Sequence, residues 1–141
     1  MKKDNKGFSL VELIIVIAIM AVLVGLLAPQ YIKYVSNSKV STDISNAQEV
    51  ATCFNVAFAD GIATATVYSG TGGSDLDDSL DGISLEQWPI AKYDSSFDWS
   101  VTITDTGVSE ITLNGKEIWP DPKSGSDKGD SASSYYNAYH K

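Results

Sequence analysis

The N-terminal part of the chain reads KGFSLVELIIVIAIMAVLVGLLAP from Lys6 to Pro29, and this stretch decides the fold. Residues 13–28 form an uninterrupted run of sixteen residues without a polar side chain. A helix needs about 20 consecutive apolar residues to cross a bilayer, so residues 8–28 are long enough to do so. Three lysines precede the run, which predicts a cytoplasmic N-terminus and places the rest of the chain outside.

Glu12 is the only charged residue between Phe8 and Pro29. An ionisable side chain inside a membrane is costly unless it is paired, so its presence predicts a functional role. A secretory signal peptide has a shorter apolar stretch of about 7–15 residues followed by a small-residue cleavage site, and Pro29-Gln30-Tyr31 is not such a site. A plain membrane anchor explains the apolar run but leaves Glu12 without a role.

Residues 6–13 resemble the processing motif of type IV pilins and pilin-like proteins. A short charged leader ends at Gly7, which precedes the cleavage point, and Phe8 follows that point. Glu12 is then the fifth residue of the mature chain. Gln30 and Tyr31 also resemble the corresponding part of major pilins. The close resemblance covers about residues 1–60, and beyond them only the general layout is similar.

The resemblance implies that residues 1–7 are a leader peptide, which a prepilin peptidase removes between Gly7 and Phe8. The new amine of Phe8 would then be N-methylated. Residues 8–35 would form the transmembrane and filament-core half of a long helix. Glu12 would pair with the Phe8 amine of a neighbouring subunit, and this pair would fix the stagger between subunits because an unpaired buried carboxylate is costly.

Gly25 and Pro29 lie inside this predicted helix. Glycine loosens a helix and proline removes one of its backbone donors. We therefore expect the helix either to kink at these residues or to melt there in the fibre.

The function implied by the resemblance is structural: a major-pilin-like subunit of a type IV pilus, which polymerises with copies of itself and catalyses nothing. The expected partners are prepilin peptidase, the pilus assembly platform with its ATPase, and the membrane before assembly. The precursor would lie in the inner (cytoplasmic) membrane, and the pilus would be extracellular on the cell surface. The alternative is a pseudopilin of a type II secretion or DNA-uptake (competence) system, because the same N-terminus serves both.

Composition argues against other classes of protein. The 141 residues carry a net charge of -8, whereas nucleic-acid-binding domains normally present a basic patch, so direct nucleic acid binding is not expected. His140 is the only histidine, which leaves no Ser/His/Asp triad or histidine-based metal cluster. The single cysteine, Cys53, cannot form a disulfide within this chain. We expect it to be a small buried side chain, and how the C-terminal region is held stays open.

Residues 36–141 are predicted to form a globular head. The predicted fold class is therefore α+β, with a long N-terminal α-helix packed on a small antiparallel β-sheet, as in pilins. The helix continues through residues 36–60 as an amphipathic half that ends near Asp60-Gly61. Its apolar stripe has helical spacing and comprises Val40, Ile44, Ala47, Ala51, Phe54 and Phe58. Asp43 is assigned to the polar face.

Alternating apolar and polar residues predict a three-stranded meander over about residues 97–119. Asn114-Gly115 is a strong signal for its second turn. The side chains expected to face the helix are Trp99, Val101, Ile103, Ile111 and Leu113. A short strand is expected at residues 63–68, followed by a polar loop at residues 69–82. Residues 120–141 are expected to be a C-terminal loop and tail, with residues 135–139 as either an added edge strand or a mobile end.

The loop at residues 69–82 contains four closely spaced aspartates, Asp75, Asp77, Asp78 and Asp81. Oxygen ligands at this density suit Ca²⁺, so a calcium site is one hypothesis. The EF-hand pattern is not met, because Leu80 occupies the position of its glycine. We therefore expect a solvated acidic loop and no cofactor.

Overall fold

A computed structural model describes residues 7–120 and 135–139 of the chain. Its elements, in chain order, are α1 (Leu10–Ala59), β1 (Val67–Thr71), a one-turn 3-10 helix (Asp78–Leu80), β2 (Asp98–Thr104), β3 (Gly107–Leu113), β4 (Lys116–Trp119) and α2 (Tyr135–Tyr139). The chain divides into two compact units, one up to Val35 and one from Ser36 onward. The predicted α+β fold, a long apolar helix followed by a small antiparallel sheet, is confirmed.

The described part of the first unit consists of residues 7–9 and the N-terminal part of α1. The helix begins at Leu10, two residues after the predicted start, and it continues without a break through Gly25 and Pro29. Among the described residues, α1 is the one helix long and apolar enough to cross a membrane, with a mean hydropathy of 3.1 in its most apolar window. That window has no buried part in the chain itself.

The C-terminal end of α1 lies where the Asp60-Gly61 pair predicts it. Gly61 has a φ of 75°, in the left-handed region. Its amide donates to the Phe58 carbonyl at 3.1 Å, and the Ile62 amide donates to the Ala57 carbonyl at 2.9 Å. These two bonds form a Schellman motif, which satisfies carbonyls that the helix itself leaves without a partner.

The strands form one antiparallel sheet in the order β1-β2-β3-β4. The predicted meander corresponds to β2, β3 and β4, and its boundaries agree to within a residue. Asn114 and Gly115, with φ values of 52° and 70°, form the tight turn between β3 and β4. Alternate side chains of β2 enter the core together with those of β3, and the buried set is the predicted one: Trp99, Val101, Ile103, Ile111 and Leu113.

The first strand differs from the prediction. β1 occupies Val67–Thr71, so the strand predicted at residues 63–68 begins later and the first three residues of the predicted loop belong to the sheet. Ser69, Gly70 and Thr71 have a loop-like composition, but they pair with β2, where Gly70 lies opposite Trp99. A Cβ on Gly70 would overlap the indole of Trp88. Glycine is therefore needed here for close packing rather than for a turn.

The buried face of α1 in the second unit also differs from the predicted stripe. Ile44 and Phe58 are only half-buried, while Val50 and Ala57 are buried although they were not predicted to be. Apart from Ala51, which directly follows Val50, the buried positions are spaced by three and four residues. They are Val40, Asp43, Ala47, Val50, Ala51, Phe54 and Ala57. The assignment of Asp43 to the polar face is wrong, for a reason that its hydrogen bonds make clear below.

The C-terminal expectation is wrong as well. Tyr135–Tyr139 form the short helix α2 instead of an edge strand or a mobile end. Tyr135 is completely buried in the core, and α2 lies beside β4. The first six residues of the predicted leader (residues 1–7) and residues 121–134 of the predicted C-terminal loop lie outside the described residues.

A fragment that begins at Ser36 is expected to be soluble and monomeric and to unfold cooperatively. The physical reason is that the residues from Ser36 onward form a compact unit with its own core, whereas the exposed apolar surface of α1 lies before it. Sedimentation velocity and thermal melting followed by circular dichroism would measure both properties. If the fragment formed filaments by itself, the assembly surface would have to lie in the second unit.

Candidate functional site

The predicted cleavage point lies in an open part of the chain. Gly7, Phe8 and Ser9 precede α1 and have no regular secondary structure, and the Phe8 side chain is 93% exposed. Among the described residues other than its chain neighbours, no atom lies within 4 Å of the place where a Cβ on Gly7 would stand. The packing of the described chain therefore does not require glycine at position 7, and a requirement for it has to come from another molecule.

Glu12 lies in the first turn of α1. Its Oε2 accepts a hydrogen bond from the Ser9 amide at 2.8 Å. Ser9 directly precedes the first helical residue, so Glu12 occupies the third helical position, from which a glutamate can reach back to the residue before the helix. The pairing of Glu12 with the Phe8 amine of a neighbouring subunit stays a prediction.

The first unit presents a continuous apolar surface. Between Leu10 and Leu27, each large apolar side chain keeps between 50 and 73% of its surface exposed. Soluble monomers rarely expose apolar surface on this scale, and such surface normally marks contact with a membrane or with protein. This part of α1 is therefore built to be covered by another molecule.

Gly25 and Pro29 do not break α1 in the described structure. Apart from the adjoining turns of α1 itself, a Cβ on Gly25 would meet no atom of the described residues within 4 Å, so no close contact with another part of the described chain requires glycine here. The expected kink or melting at these residues stays a prediction about the membrane-embedded and assembled states.

The four aspartates of the acidic loop are exposed, and only part of the loop is irregular. Asp75 accepts a hydrogen bond from Gln87 Nε2 at 2.8 Å, and Asp78 begins the 3-10 helix. Within residues 7–120 and 135–139, no three His, Cys, Asp or Glu side chains are grouped closely enough to hold a metal ion. The hypothesis of a Ca²⁺ site at Asp75, Asp77, Asp78 and Asp81 therefore gains no geometric support and stays untested.

Cys53 is half-buried, whereas a fully buried side chain was expected. It lies one position away from the buried face of α1, and its Sγ accepts a hydrogen bond from Ser84 Oγ at 3.2 Å. The thiol is thus held at the edge of the core between the helix and the segment that precedes β2.

A second site, which the sequence analysis missed, lies in the core of the second unit. Asp43 has no exposed surface. Its Oδ1 accepts a hydrogen bond from the Lys92 amide at 2.6 Å, and its Oδ2 accepts one from the Tyr93 amide at 3.0 Å. Oδ2 also accepts a hydrogen bond from the Tyr135 hydroxyl at 2.7 Å. A buried carboxylate is tolerated only when it is hydrogen-bonded in this way.

Tyr135 belongs to an aromatic cluster that joins α2 to the segment before β2. The ring centroids of neighbouring members lie 4.6–6.5 Å apart, and the members are Tyr93, Phe97, Tyr135 and Tyr139. Burial, together with the hydrogen bond to Asp43 and its negative charge, raises the pKa of the Tyr135 phenol well above its ordinary value of 10.0. Tyr135 therefore keeps its proton and remains a donor to Asp43 at any physiological pH.

The spacing of α1 contains a signal for the Asp43 site. Asp43 stands three residues after Val40 and four before Ala47, which places it on the same face as both. A lone acid on an otherwise apolar stripe predicts a buried carboxylate with donors around it. The identity of those donors is not visible in the sequence, because Lys92, Tyr93 and Tyr135 are far from Asp43 along the chain.

Comparison with known proteins points to one group. Residues 2–28 match the family described as the prokaryotic N-terminal methylation motif. The chain is 38% identical over 82 residues to the type IV major fimbrial protein FimA of Dichelobacter nodosus, an alignment that covers 58% of this chain and 51% of FimA. No solved structure matches the chain significantly.

Two further relatives agree with this result. A fimbrial protein of Pseudomonas aeruginosa is 36% identical over 59 residues, which are 42% of this chain and 38% of that protein. The fimbrial protein EcpC of Eikenella corrodens is 34% identical over 84 residues, which are 60% of this chain and 48% of EcpC. The chain thus spans about half the length of the curated relatives that it matches, or less.

Replacement of Gly7 by a bulky residue, as in Gly7→Leu, is expected to block removal of the leader while the fold stays unchanged. The reason is that position 7 is open within the chain, so that only an external protease subsite would be sensitive to its size. Intact mass of the protein from cells that contain the peptidase would show a wild-type chain starting at Phe8 and an uncut variant. A mature chain starting after Pro29 would instead indicate a signal peptide.

Tyr135→Phe is expected to destabilise the fragment that begins at Ser36 by about 1.5–3 kcal/mol at neutral pH, because it removes a hydrogen bond to a buried carboxylate. Urea unfolding would give this difference in the free energy of unfolding. Tyr139→Phe is the matched control. Among the described residues, its hydroxyl accepts one hydrogen bond, an exposed one from Asn114 Nδ2, so its loss is expected to cost well under half as much. Equal effects of the two substitutions would contradict the role given to Asp43.

The same variant also gives a prediction for alkaline pH. Because the folded state raises the pKa of Tyr135, the unfolded chain loses this proton first, and the contribution of Tyr135 to stability is complete below about pH 10 and decreases above it. Phenylalanine cannot ionise, so the stability difference between wild type and Tyr135→Phe is expected to shrink by up to about 1.4 kcal/mol per pH unit above pH 10. A constant difference from pH 8 to 11 would contradict a buried, protonated Tyr135.

Proposed function

We propose that this chain is a type IV pilin and the structural subunit of a type IV pilus, because its residues 2–28 match the N-terminal methylation motif and it is similar to major fimbrial proteins. In this role it polymerises with copies of itself and catalyses no reaction. One observation carries the proposal. The part of α1 that lies in the first unit exposes a long apolar surface, and the first turn of this helix contains an acid, Glu12.

Two environments in succession can cover that surface. Before assembly, lipid acyl chains surround the apolar part of α1, which is long and apolar enough to cross a bilayer. In the filament, the same side chains pack against the equivalent helices of other subunits. A helix that is apolar on all sides suits both states, because any of its faces can meet either lipid or another helix.

Processing and export follow from the N-terminal motif. The prepilin peptidase removes the leader at the cytoplasmic face of the inner membrane, Phe8 is N-methylated, and the assembly platform with its ATPase draws the subunit into an extracellular pilus on the cell surface. The match at residues 2–28 and the open conformation around Gly7 and Phe8 support this sequence of events.

The pairing of Glu12 with the Phe8 amine gives the filament its register. Apolar contacts between uniformly apolar helices are tolerant of sliding, since one aliphatic side chain can replace another at little cost. A carboxylate inside such an interface is far less tolerant, because it is costly wherever it lacks a partner. The pair therefore selects one stagger out of many that the apolar surfaces allow.

The described structure offers no observation in favour of the pseudopilin alternative. The relatives whose names specify a role are called major fimbrial proteins or fimbrial proteins. A subunit of a surface pilus is accordingly the function that we propose for this chain.

Glu12→Ala is expected to leave cleavage and membrane insertion intact but to reduce the yield of sheared surface filaments by about tenfold or more, because a buried pair is lost. The variant has to be expressed as the sole copy, and quantitative immunoblotting of sheared and cell-bound fractions measures the yield. Glu49→Ala is the matched control, since Glu49 is an exposed acid on the same helix but in the second unit. Normal yield from Glu12→Ala would remove the role assigned to this residue.

A further inference from the structure

The hydrogen bond between the Ser9 amide and Glu12 Oε2, at 2.8 Å, is formed within a single chain. It joins the residue before α1 to the third residue of the helix, and Ser9 also accepts the first intrahelical hydrogen bond, from the Leu13 amide at 3.2 Å. The sequence Ser9-Leu10-Val11-Glu12 has the spacing of a capping box, in which the glutamate satisfies the backbone donor of the capping residue.

Such a contact has particular value at this end of α1. The first amides of any helix have no partner within the helix, and where the surroundings are apolar an amide without a partner is much more costly than in water. The N-terminus of a helix also carries a partial positive charge, which favours a carboxylate at that place. Glu12 therefore satisfies the Ser9 amide, and the helix end in turn lowers the cost of placing the carboxylate in an apolar region.

In the precursor, the contact between Glu12 and the Ser9 amide is needed because the other expected partner of Glu12 is not yet present. Until the leader is removed, the nitrogen of Phe8 is part of a peptide bond and carries no charge, so it cannot form an ion pair with any Glu12. The Ser9 amide is a partner that the chain itself provides at that stage. A charge inside an apolar helix is thus accommodated before a neighbouring subunit is present.

We propose that Glu12 caps its own helix in the unassembled subunit, and that this cap is the contact which the carboxylate gives up on assembly. The second part rests on the proposed function. Assembly is then an exchange of partners for Glu12, from the Ser9 amide of its own chain to the Phe8 amine of a neighbour. The contribution of Glu12 to assembly is then the difference between its interaction free energies with these two partners. It is smaller than the full free-energy cost of an unpaired buried carboxylate.

The cap is tested on the full chain of 141 residues in detergent micelles, by NMR measurement of hydrogen exchange at the Ser9 amide. We expect exchange to be about tenfold faster or more in Glu12→Ala, because a hydrogen bond to a charged group is lost. In Glu12→Gln it should stay within about threefold of the wild-type rate, because glutamine also accepts this bond in a capping box. Glu49→Ala should leave the Ser9 rate unchanged, and amides of the second unit report that every variant is folded.

Unchanged exchange at Ser9 in Glu12→Ala would overturn the cap, as would equal acceleration in the alanine and glutamine variants. The exchange of partners is tested by solid-state NMR of wild-type filaments, in which the Ser9 amide resonance should move from its position in micelles. An unmoved resonance would overturn that part. The micelle experiment contains no filament, so its result does not depend on assembly. Faster Ser9 exchange in Glu12→Ala, together with a normal filament yield from this variant, would support the cap and contradict the proposed role of Glu12 in the filament.

Discussion

Asp43 places a carboxylate inside the core, on the face of α1 that otherwise carries apolar side chains. The group is stable there because two segments from distant parts of the chain bring three donors to its two oxygens. The Lys92 and Tyr93 amides fix the segment before β2, and the Tyr135 hydroxyl fixes the C-terminal helix α2. Removal of any of these donors would leave part of a buried charge unsatisfied, so this side chain couples the positions of both segments to α1.

The two units of the chain treat their apolar surface in opposite ways. The second unit buries its apolar residues in one core between α1 and the four-stranded sheet, and aromatic rings such as those of Trp88 and Phe54 stack within it, with centroids 5.6 Å apart. The first unit exposes nearly all of its apolar side chains. The same helix therefore has two kinds of surface. The apolar side chains of its N-terminal part are exposed in the single chain, and those on the buried face of its C-terminal part are covered by the rest of the second unit.

Local pattern in the sequence was sufficient for the features that depend on near neighbours. The end of α1 at Gly61, the turn at Asn114-Gly115 and the alternating burial of β2 all follow from residues within a few positions of one another. The features that it missed depend on distant contacts. β1 extends through Ser69, Gly70 and Thr71 because β2 and Trp88 lie beside it, and composition alone favours a loop there.

The Asp43 site illustrates the same limit. Asp43 was assigned to the solvent-exposed face because its side chain is polar. Its spacing from Val40 and Ala47 indicated the buried face instead. The short helix α2 was unpredictable for a related reason, since five residues cannot form a stable helix by propensity. It is held instead by tertiary contacts: Tyr135 is buried and hydrogen-bonded to a residue 92 positions earlier, and Tyr139 packs on Tyr93 and Phe97. By contrast, the N-terminal segment that includes Glu12 was recognisable because its whole signal is local.

The hydrogen bonds of Asp43 have a consequence for where the second unit is able to fold. Its C-terminal helix is attached to the core by the hydrogen bond between a phenol and a carboxylate and by aromatic contacts, none of which responds to thiol reagents, and the single cysteine takes no part in these contacts. Folding therefore requires neither an oxidising compartment nor a thiol oxidase. The unit can reach its final structure in a reducing medium as readily as in an oxidising one, and glutathione at any ratio leaves the C-terminal attachment intact.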